Sequence, residues 1–248
     1  MPFKKTPQTF SAAIKAVEIG TGDKAITIGG ENVLPLYSFD AEIANAPKIG
    51  VEILDTGFEN APAGLKAFYE GCTSMADMAK KAATIEGASF ICLHFEGADP
   101  NGADRSVDEC VADAKAVAEA VDLPIVIMGC KNNEKDSDLF NKCSEALQGK
   151  NILVLAAKEE TYKAVGASAG LAYGQKVGAE SSVDINLAKQ LNVLLTQLGV
   201  KQDSIVMHVG TAAAGYGFEY VVSTMERIRL AALGQNDNTL QMPVMTPV

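Results

Sequence analysis

The chain has 248 residues, of which 48% are hydrophobic and 21% are charged, and its formal net charge is −10 at pH 7. This composition is ordinary for a soluble protein that is long enough to bury a substantial core. The negative charge argues against a nucleic-acid partner and against an anionic membrane surface, because both are bound by basic surfaces. No uncharged apolar run approaches the roughly 18 residues of a membrane span, and no signal peptide follows Met1, so we expect a cytoplasmic protein.

The first predicted element is a β-hairpin. Ile14 to Ile19 and Ala25 to Ile28 are short apolar-rich runs on either side of a Gly-Thr-Gly-Asp turn at 20–23. A segment punctuated by prolines follows, from Pro35 to Pro47. We therefore predict two parts: residues 1–47, with the hairpin and a connecting segment, and residues 48–248, in which strands and helices alternate.

Seven short apolar runs in the second part have the length of buried strands. They are Ile49–Leu54, Phe90–Phe95, Ile125–Met128, Ile152–Ala156, Lys176–Ala179, Ser204–His208 and Met242–Thr246. Apolar residues at helical spacing fill the segments between these runs. Helices are expected from Ser74 to Gly87, from Ser106 to Val121, at Lys135–Leu147, at Thr161–Ala172, after Asp184, and at Phe218–Leu233 with Gly234 as the C′ residue.

Strand-helix alternation predicts an α/β fold with parallel strands covered by helices. An open doubly wound sheet and a closed barrel both satisfy this pattern. The first strand-helix turn lacks Gly-x-Gly-x-x-Gly, which weakens the dinucleotide-binding option, and the hairpin could plug the bottom of a barrel. We predict a (β/α)8 TIM barrel with an N-terminal hairpin, truncated after the seventh strand, since a complete barrel needs roughly 50–60 further residues. The native chain is therefore expected to extend past Val248.

Functional residues of such a barrel gather at the C-terminal ends of its strands. Both histidines of the chain, His94 and His208, lie there, and each could be a ligand, a proton shuttle or a hydrogen-bond donor to a cofactor. A histidine that only closes the barrel top is the alternative. The loops after the strands complete the predicted cofactor-binding set with Asp99, Asn101, Asn132, Asn133, Asp184, Asn186, Gly215 and Tyr216.

Three further patterns predict no metal site and no catalytic residue. The five cysteines lack CxxC or CxxxC spacing, so neither zinc nor an iron–sulfur cluster is expected. The loop with Asp99, Asn101 and Asp104 resembles a calcium site only loosely, and a rigid turn is the preferred interpretation. Cys130 has cationic neighbours in sequence but no nearby histidine, so a polar cofactor mouth fits better than a reactive thiol.

The segment 210–217 is rich in glycine and alanine and precedes a helix, so it could cradle a phosphate. It lacks the Lys-Ser/Thr ending of a P-loop, which leaves the nucleotide signal weak. Its small residues would also let a large planar ligand approach the backbone closely.

Several blocks of the sequence resemble a known family, the small subunit of the corrinoid iron–sulfur protein. That subunit is also called the delta subunit of the acetyl-CoA decarbonylase/synthase complex. The blocks are 97–104, 106–111, 129–130 with 134–136, 160–163, 184–192, 215–220 and 225–230. The resemblance extends from about Ile14 to the end and departs from the family's usual loop at Val209–Ala214.

This resemblance implies a (β/α)8 barrel and a heterodimer with a larger subunit that carries the [4Fe–4S] cluster and the corrinoid domain. The small subunit would cover the corrinoid (cobalamin), hold no cluster and catalyse nothing alone. The implied activity is methyl transfer from a methyl-tetrahydropterin, bound to its methyltransferase, to acetyl-CoA synthase. That step belongs to the reductive acetyl-CoA pathway of CO dehydrogenase systems, a route of one-carbon metabolism and carbon fixation.

Two alternatives stay open at this point. One is a free-standing pterin-dependent methyltransferase barrel, in which Asn132, Asp184 and Asn186 would hydrogen-bond a pterin ring. The other is a structural subunit without corrinoid contact. Turnover of a methyl donor by the monomer would favour the first alternative.

Overall fold

The computed structural model describes residues 6–35, 37–59 and 61–247. The first five residues, on which the expectation about a signal peptide mainly depends, and Val248 lie outside this range. The predicted hairpin is present: β1 (Val17–Ile19) and β2 (Ile26–Ile28) form a two-stranded sheet, with a 3-10 turn at Gly22–Lys24 between them.

A seven-stranded sheet contains all the other strands of the described residues, and its strand order follows the chain. These strands are β3 (Ile49–Leu54), β4 (Ala88–His94), β5 (Ile125–Met128), β6 (Leu153–Ala157), β7 (Lys176–Glu180), β8 (Ile205–His208) and β9 (Val244–Met245). The pairs β3–β4, β4–β5, β5–β6 and β8–β9 are parallel. The predicted α/β fold with parallel strands is confirmed, and each predicted strand is found, β3 and β5 with the predicted bounds and the other five with shifted ends.

Seven α-helices lie in the described residues. They are α1 (Ala63–Phe68), α2 (Met75–Ala82), α3 (Val107–Ala120), α4 (Asn133–Ala146), α5 (Tyr162–Val165), α6 (Ile185–Leu198) and α7 (Phe218–Gly234). The helix α5 continues as a π-helical segment, Gly166–Ala172. The sequence analysis missed α1 because it has no capping side chain and buries none of its residues, so it leaves no amphipathic pattern.

Helix ends show where sequence signals succeed and fail. The predicted capping box of α3 is present, because Ser106 Oγ accepts from the Glu109 N–H at 3.3 Å and Glu109 accepts from the Ser106 N–H at 2.8 Å. The prediction that Gly234 is the C′ residue of α7 is wrong. Gly234 is still helical, and the left-handed residue is Asn236, with φ of 53°, since asparagine tolerates this conformation. Similarly, α2 ends at Ala82 rather than at the predicted glycine.

The chain divides into two compact units. The first unit contains the chain up to Val17, Thr27–Pro47 and Ala179 onwards, and the second contains Glu18–Ile26 and Lys48–Gly178. The predicted division into 1–47 and 48–248 stays a prediction. Among the described residues, no helix has both the length and the hydropathy that a membrane crossing requires.

In the second unit, the two faces of the strands differ in burial mainly at the carboxyl ends of β3 to β5, because Cys92, Val126 and Leu153 of the less buried face are buried as well. Ile53, Leu93, Ile127 and Val154 lie side by side in register and are all 0% exposed. The next residues along these strands point to the other face, because side chains alternate along a strand. There Leu54, His94 and Met128 are side by side and only half-buried, and Glu52 is exposed. We call these four residues the open face.

In the first unit, a buried stripe of α6 forms part of the core. Its residues Ala188, Leu191, Asn192 and Leu195 are all buried, and α6 contacts both β8 and α7. All four residues of β8 are buried as well. The first unit therefore has an apolar core directly below the loops that follow β7 and β8.

Candidate functional site

In the second unit, the loop after β4 is held by its own polar side chains. Asp99 Oδ1 accepts from the Asn101 backbone N–H at 2.9 Å and from Asn101 Nδ2 at 3.1 Å. Asp104 accepts from Lys135 Nζ at 2.8 Å, which connects this loop to α4. The predicted residues Asp99 and Asn101 are thus brought together, in the geometry of a rigid turn. Among the described residues, no three histidine, cysteine or acidic side chains are placed to hold a metal ion.

The loop after β5 places the two predicted asparagines at the start of α4. Asn132 is the N-cap, and its Oδ1 accepts from the Lys135 N–H at 3.0 Å. Asn133, the first residue of the helix, is exposed. Polar residues between a strand and a helix are common caps, so the position that suggested a binding residue equally suits a cap.

Cys130 lies in the same loop and donates to a buried carboxylate. Asp136 Oδ1 accepts from the Cys130 N–H at 2.7 Å and from its Sγ at 3.3 Å. Burial raises the pKa of Asp136 and raises the pKa of the Cys130 thiol to about 11. At neutral pH this thiol is therefore protonated, which argues against a nucleophilic role. A Cβ at Gly129 would lie 2.2 Å from Asp136 Oδ1, so only glycine fits beside this carboxylate.

On the open face, His94 is paired with a glutamate that the sequence analysis missed. His94 Nδ1 and Glu52 Oε1 are 2.6 Å apart. The hydrogen bond from His94 holds the pKa of Glu52 below its usual range, and Lys131 lowers it further. The two partners are 42 residues apart in sequence, so no local motif connects them. The only sequence signal was a carboxylate inside an otherwise apolar strand.

A second charged group follows β3, and it too was missed. The Asp55 side chain is 0% exposed; it accepts from the Gly97 N–H and from Arg105 Nη1, each at 2.8 Å. Arg105 Nη2 donates to Asp113 at 2.7 Å. These side chains line an open cleft of about 780 Å³ whose apolar lining includes Tyr69. An aspartate directly after a predicted strand was the signal that could have identified this group.

In the first unit, the loops after β7 and β8 are joined by main-chain hydrogen bonds. The Ser181 N–H donates to the His208 carbonyl at 2.9 Å, and the Val183 N–H donates to the Val209 carbonyl at 2.8 Å. Ser182 and Val183 have φ of 46° and 68°, in the left-handed region that side chains with a Cβ rarely occupy. Non-glycine residues in this region store strain and tend to cluster at functional sites.

Two more predicted residues lie at the start of α6. Asp184 caps this helix by accepting from the Asn186 N–H at 2.7 Å and from the Leu187 N–H at 3.2 Å. The Asn186 side chain is exposed. His208, at the end of β8, is only 5% exposed. The structure thus brings His208 and the segment before Asp184 together, whereas Asn186 lies at the surface.

The loop 210–217 of the first unit is open and exposes its aromatic residue. Gly215 has φ of 75° and Gly217, the N-cap of α7, has φ of 114°. Thr246 Oγ1 donates to the Gly210 carbonyl at 2.5 Å, which fixes the start of the loop. Tyr216 is 87% exposed. Most of the small residues before it are exposed as well, so the backbone of this loop is accessible.

Comparison with known proteins decides the family. The model of the family described as CO dehydrogenase/acetyl-CoA synthase delta subunit matches residues 16–247. The chain belongs to this family. Among its relatives in the delta-subunit family, it is 35% identical over 226 residues to acetyl-CoA decarbonylase/synthase complex subunit delta 1 of Methanosarcina thermophila, covering 91% of this chain and 51% of the relative. The subunit delta of Archaeoglobus fulgidus is 34% identical over 226 residues, covering 91% and 50%.

A third relative, subunit delta of Methanothermobacter thermautotrophicus, is 32% identical over 245 residues, covering 98% of this chain and 62% of the relative. This delta-subunit chain therefore spans about half the length of the curated relatives it matches. The predicted family resemblance is confirmed.

The fold also matches a solved structure, that of 7,8-dihydropteroate synthase from Vibrio fischeri ES114. The TM-score is 0.55 at 11% identity, and the match covers 93% of this chain and 77% of the other. The fold is thus TIM-barrel-like, as predicted for this delta-subunit chain. At this identity the likeness concerns the fold alone.

Proposed function

We propose that the chain is the small subunit of a corrinoid iron–sulfur methyl carrier. It pairs with a large subunit that holds the corrinoid and the [4Fe–4S] cluster, and it covers the corrinoid. The carrier receives a methyl group from a methyl-tetrahydropterin on its methyltransferase and passes it to acetyl-CoA synthase. Membership of the delta-subunit family is the observation that carries this proposal.

The residues at the carboxyl ends of the strands fit a corrinoid, which is a flat ring with a rim of carboxamides. In the second unit, the exposed Asn101 and Asn133 and the half-buried His94 offer hydrogen-bonding groups. In the first unit, loop 210–217 combines small residues with the exposed Tyr216. Fixed polar groups and accessible backbone are both features that ligand sites use, and each unit offers one of them at its own strand ends.

The chain's own residues would bind and orient rather than react. When bound, the corrinoid supplies the centre that carries the methyl group, and the protein supplies access, orientation and exclusion of water. Loop 210–217 would lie against the plane of the ring, because its small residues allow close approach. The polar side chains would hold the rim, and no residue of this chain is assigned a proton transfer.

The proposal is tested in the heterodimer of the full chain with a corrinoid-loaded large subunit. Cobalt content and methyl transfer from methyl-tetrahydropterin, with the methyltransferase present, are measured for the wild type, Tyr216→Ala and His208→Ala. We expect Tyr216→Ala to speed corrinoid loss about tenfold, the effect of losing roughly 1.4 kcal/mol of binding. His208→Ala should change corrinoid retention or transfer rate while the fold is kept.

Leu230→Ala is the matched control, because Leu230 is 50% exposed on α7 and outside the loop. It should leave cobalt retention and transfer unchanged. A wild-type chain that forms no complex with the large subunit would contradict the proposal. A monomer that turns over a methyl donor without the large subunit would instead support a free-standing pterin-dependent methyltransferase.

A further inference from the structure

The direction of the hydrogen bond between Glu52 and His94 is fixed by the chemistry of the two groups. A carboxylate can only accept hydrogen bonds, so His94 Nδ1, 2.6 Å from Glu52 Oε1, must carry the proton and donate. The lowered pKa of Glu52 keeps it ionised, and this favours the same arrangement. In the neutral ring, Nε2 is then left with a lone pair and acts as an acceptor.

The surroundings leave this acceptor available. Within the described residues, Glu52 Oε1 is the only hydrogen-bond partner of the His94 ring. The two ring nitrogens point in diverging directions, so Nε2 faces away from Glu52. His94 lies in register between Leu54 and Met128, and its side chain is 13% exposed. An acceptor flanked by apolar side chains binds a donor more strongly than one in water.

The carboxylate partner has a recognisable purpose in such pairs. A carboxylate that accepts from one ring nitrogen sets the tautomer and holds the ring in place. Lys131, in the loop after β5, adds a positive charge that favours the ionised form of Glu52. Glu52 therefore acts through His94 and is a positioning residue.

We propose that Glu52 and His94 form a hydrogen-bond-accepting pair, in which His94 Nε2 binds a carboxamide N–H on the rim of the corrinoid. This inference rests on the proposed function, which brings a carboxamide-rimmed ligand to the carboxyl ends of the strands. It assigns His94 as a hydrogen-bond acceptor for the ligand. It also assigns Glu52 as the residue that positions His94 without touching the ligand itself. The direction of the hydrogen bond makes Nε2 an acceptor for an N–H or O–H donor, and among such donors the carboxamide N–H comes from the proposed function.

The first test asks which ring nitrogen of His94 carries the proton. It uses the isolated full chain and ¹⁵N nuclear magnetic resonance of the histidine side chains. The chain has only two histidines, so their signals can be assigned with His208→Gln. We expect the Nδ1–H tautomer for His94 at neutral pH. Glu52→Ala should shift it toward the Nε2–H tautomer, and Glu52→Gln, which keeps an acceptor oxygen, should restore the wild-type state. A wild-type His94 in the Nε2–H tautomer would overturn the proposal.

The ligand is tested next, in the heterodimer with the corrinoid-loaded large subunit. His94→Ala and Glu52→Ala should speed corrinoid loss about two- to tenfold, the range expected for one hydrogen bond. Glu52→Gln should lie close to the wild type. The His94 Nε2 signal should move upfield when the loaded large subunit is added, and a purely structural pair would not show this response.

The outcomes separate this inference from the proposed function. If the wild-type heterodimer holds cobalt but His94→Ala holds it equally well and the Nε2 signal does not move, the inference is wrong and the proposed function stands. If the wild-type heterodimer holds no cobalt, the proposed function fails, and the inference about the corrinoid fails with it. Urea unfolding of each variant confirms that a lost fold is not the cause.

Discussion

The loops at the carboxyl ends of the strands are stabilised differently in the two units. In the second unit, side-chain charges hold them: Arg105 joins Asp55 to Asp113, and Lys135 joins Asp104 to α4. In the first unit, main-chain hydrogen bonds join the segment around Ser182 and Val183 to the end of β8. Both arrangements fix a loop, but they leave different groups available to a ligand.

The groups that do not hold the loops in place remain available for binding, and they differ between the two units. Most polar side chains of the second-unit loops already bind one another, so the acceptor on His94 stands out. In the first unit, the backbone of loop 210–217 and the Tyr216 ring remain accessible. The second unit therefore offers a side-chain acceptor, whereas the first unit offers accessible backbone and an exposed aromatic ring.

The largest expected effect comes from breaking the charged group of the second unit. Arg105→Ala would leave the fully buried Asp55 carboxylate with the Gly97 N–H as its one donor among the described residues. We expect a loss of roughly 3–5 kcal/mol in the free energy of unfolding, measured in urea. Lys142→Ala is the control, because Lys142 pairs with exposed Asp108 and Asp138 and should cost less than about 1 kcal/mol. Equal losses in both variants would contradict this view of the loop.

The second-largest effect is expected from a substitution in the core below the loops of the first unit. Leu191 is 0% exposed on α6, and Leu191→Ala should cost roughly 2–5 kcal/mol by leaving a cavity. Leu230→Ala, at a half-exposed position, should change the unfolding free energy by about 0.5 kcal/mol or less. Thermal unfolding followed by circular dichroism measures both. A stable Leu191→Ala variant would show that α6 does not support this unit.

The main-chain arrangement of the first unit is tested at Gly210, whose φ is 83°. Gly210→Ala should cost about 1–2 kcal/mol, because its Cβ would meet Ser182 Cα only at 3.5 Å and the penalty is therefore conformational. Gly102→Ala is the matched loop control, since Gly102 lies outside the left-handed region. It should be neutral or slightly stabilising. A neutral Gly210→Ala would indicate that this loop is not fixed as described.

The smallest effects concern the two caps, one in each unit. Asn132→Ala and Asp184→Ala should each cost about 1 kcal/mol in the free energy of unfolding. The neighbouring exposed Asn133→Ala and Asn186→Ala serve as controls and should cost about 0.5 kcal/mol or less. Corrinoid retention in the heterodimer is measured for all four variants. If the cap variants lose stability without losing corrinoid, their role is structural.

The fold was predictable from sequence because buried parallel strands are continuous apolar runs. β5 (Ile125–Met128) and β3 (Ile49–Leu54) were predicted with the observed bounds. The helix α1 was not, because nothing in its six residues is periodic. Gly234 was assigned as the end of α7, but Asn236 takes the left-handed position instead.

The candidate site was less predictable, for a physical reason. The strand ends carrying His94 and His208 could be identified, since position along a strand is a local property. The contacts of Glu52 and Asp55 could not, although Asp55 follows a predicted strand, because these contacts span 42 and 50 residues and depend on how neighbouring strands pair. For Asn132 and Asp184 the position could be predicted but the role could not, since a polar residue before a helix fits a cap and a ligand contact equally well.

The most direct test of the central claim is hydrogen–deuterium exchange of the chain with and without the corrinoid-loaded large subunit. The carboxyl ends of the strands are followed by 96–104, 130–135, 181–186 and 210–217. The amino ends of β5 and β6 adjoin a separate cleft lined by 20–24, 122–124 and Lys150. We expect the large subunit to protect the first set of segments and to leave the second set unchanged. Protection confined to the second set would contradict the claim that the carboxyl ends of the strands face the corrinoid.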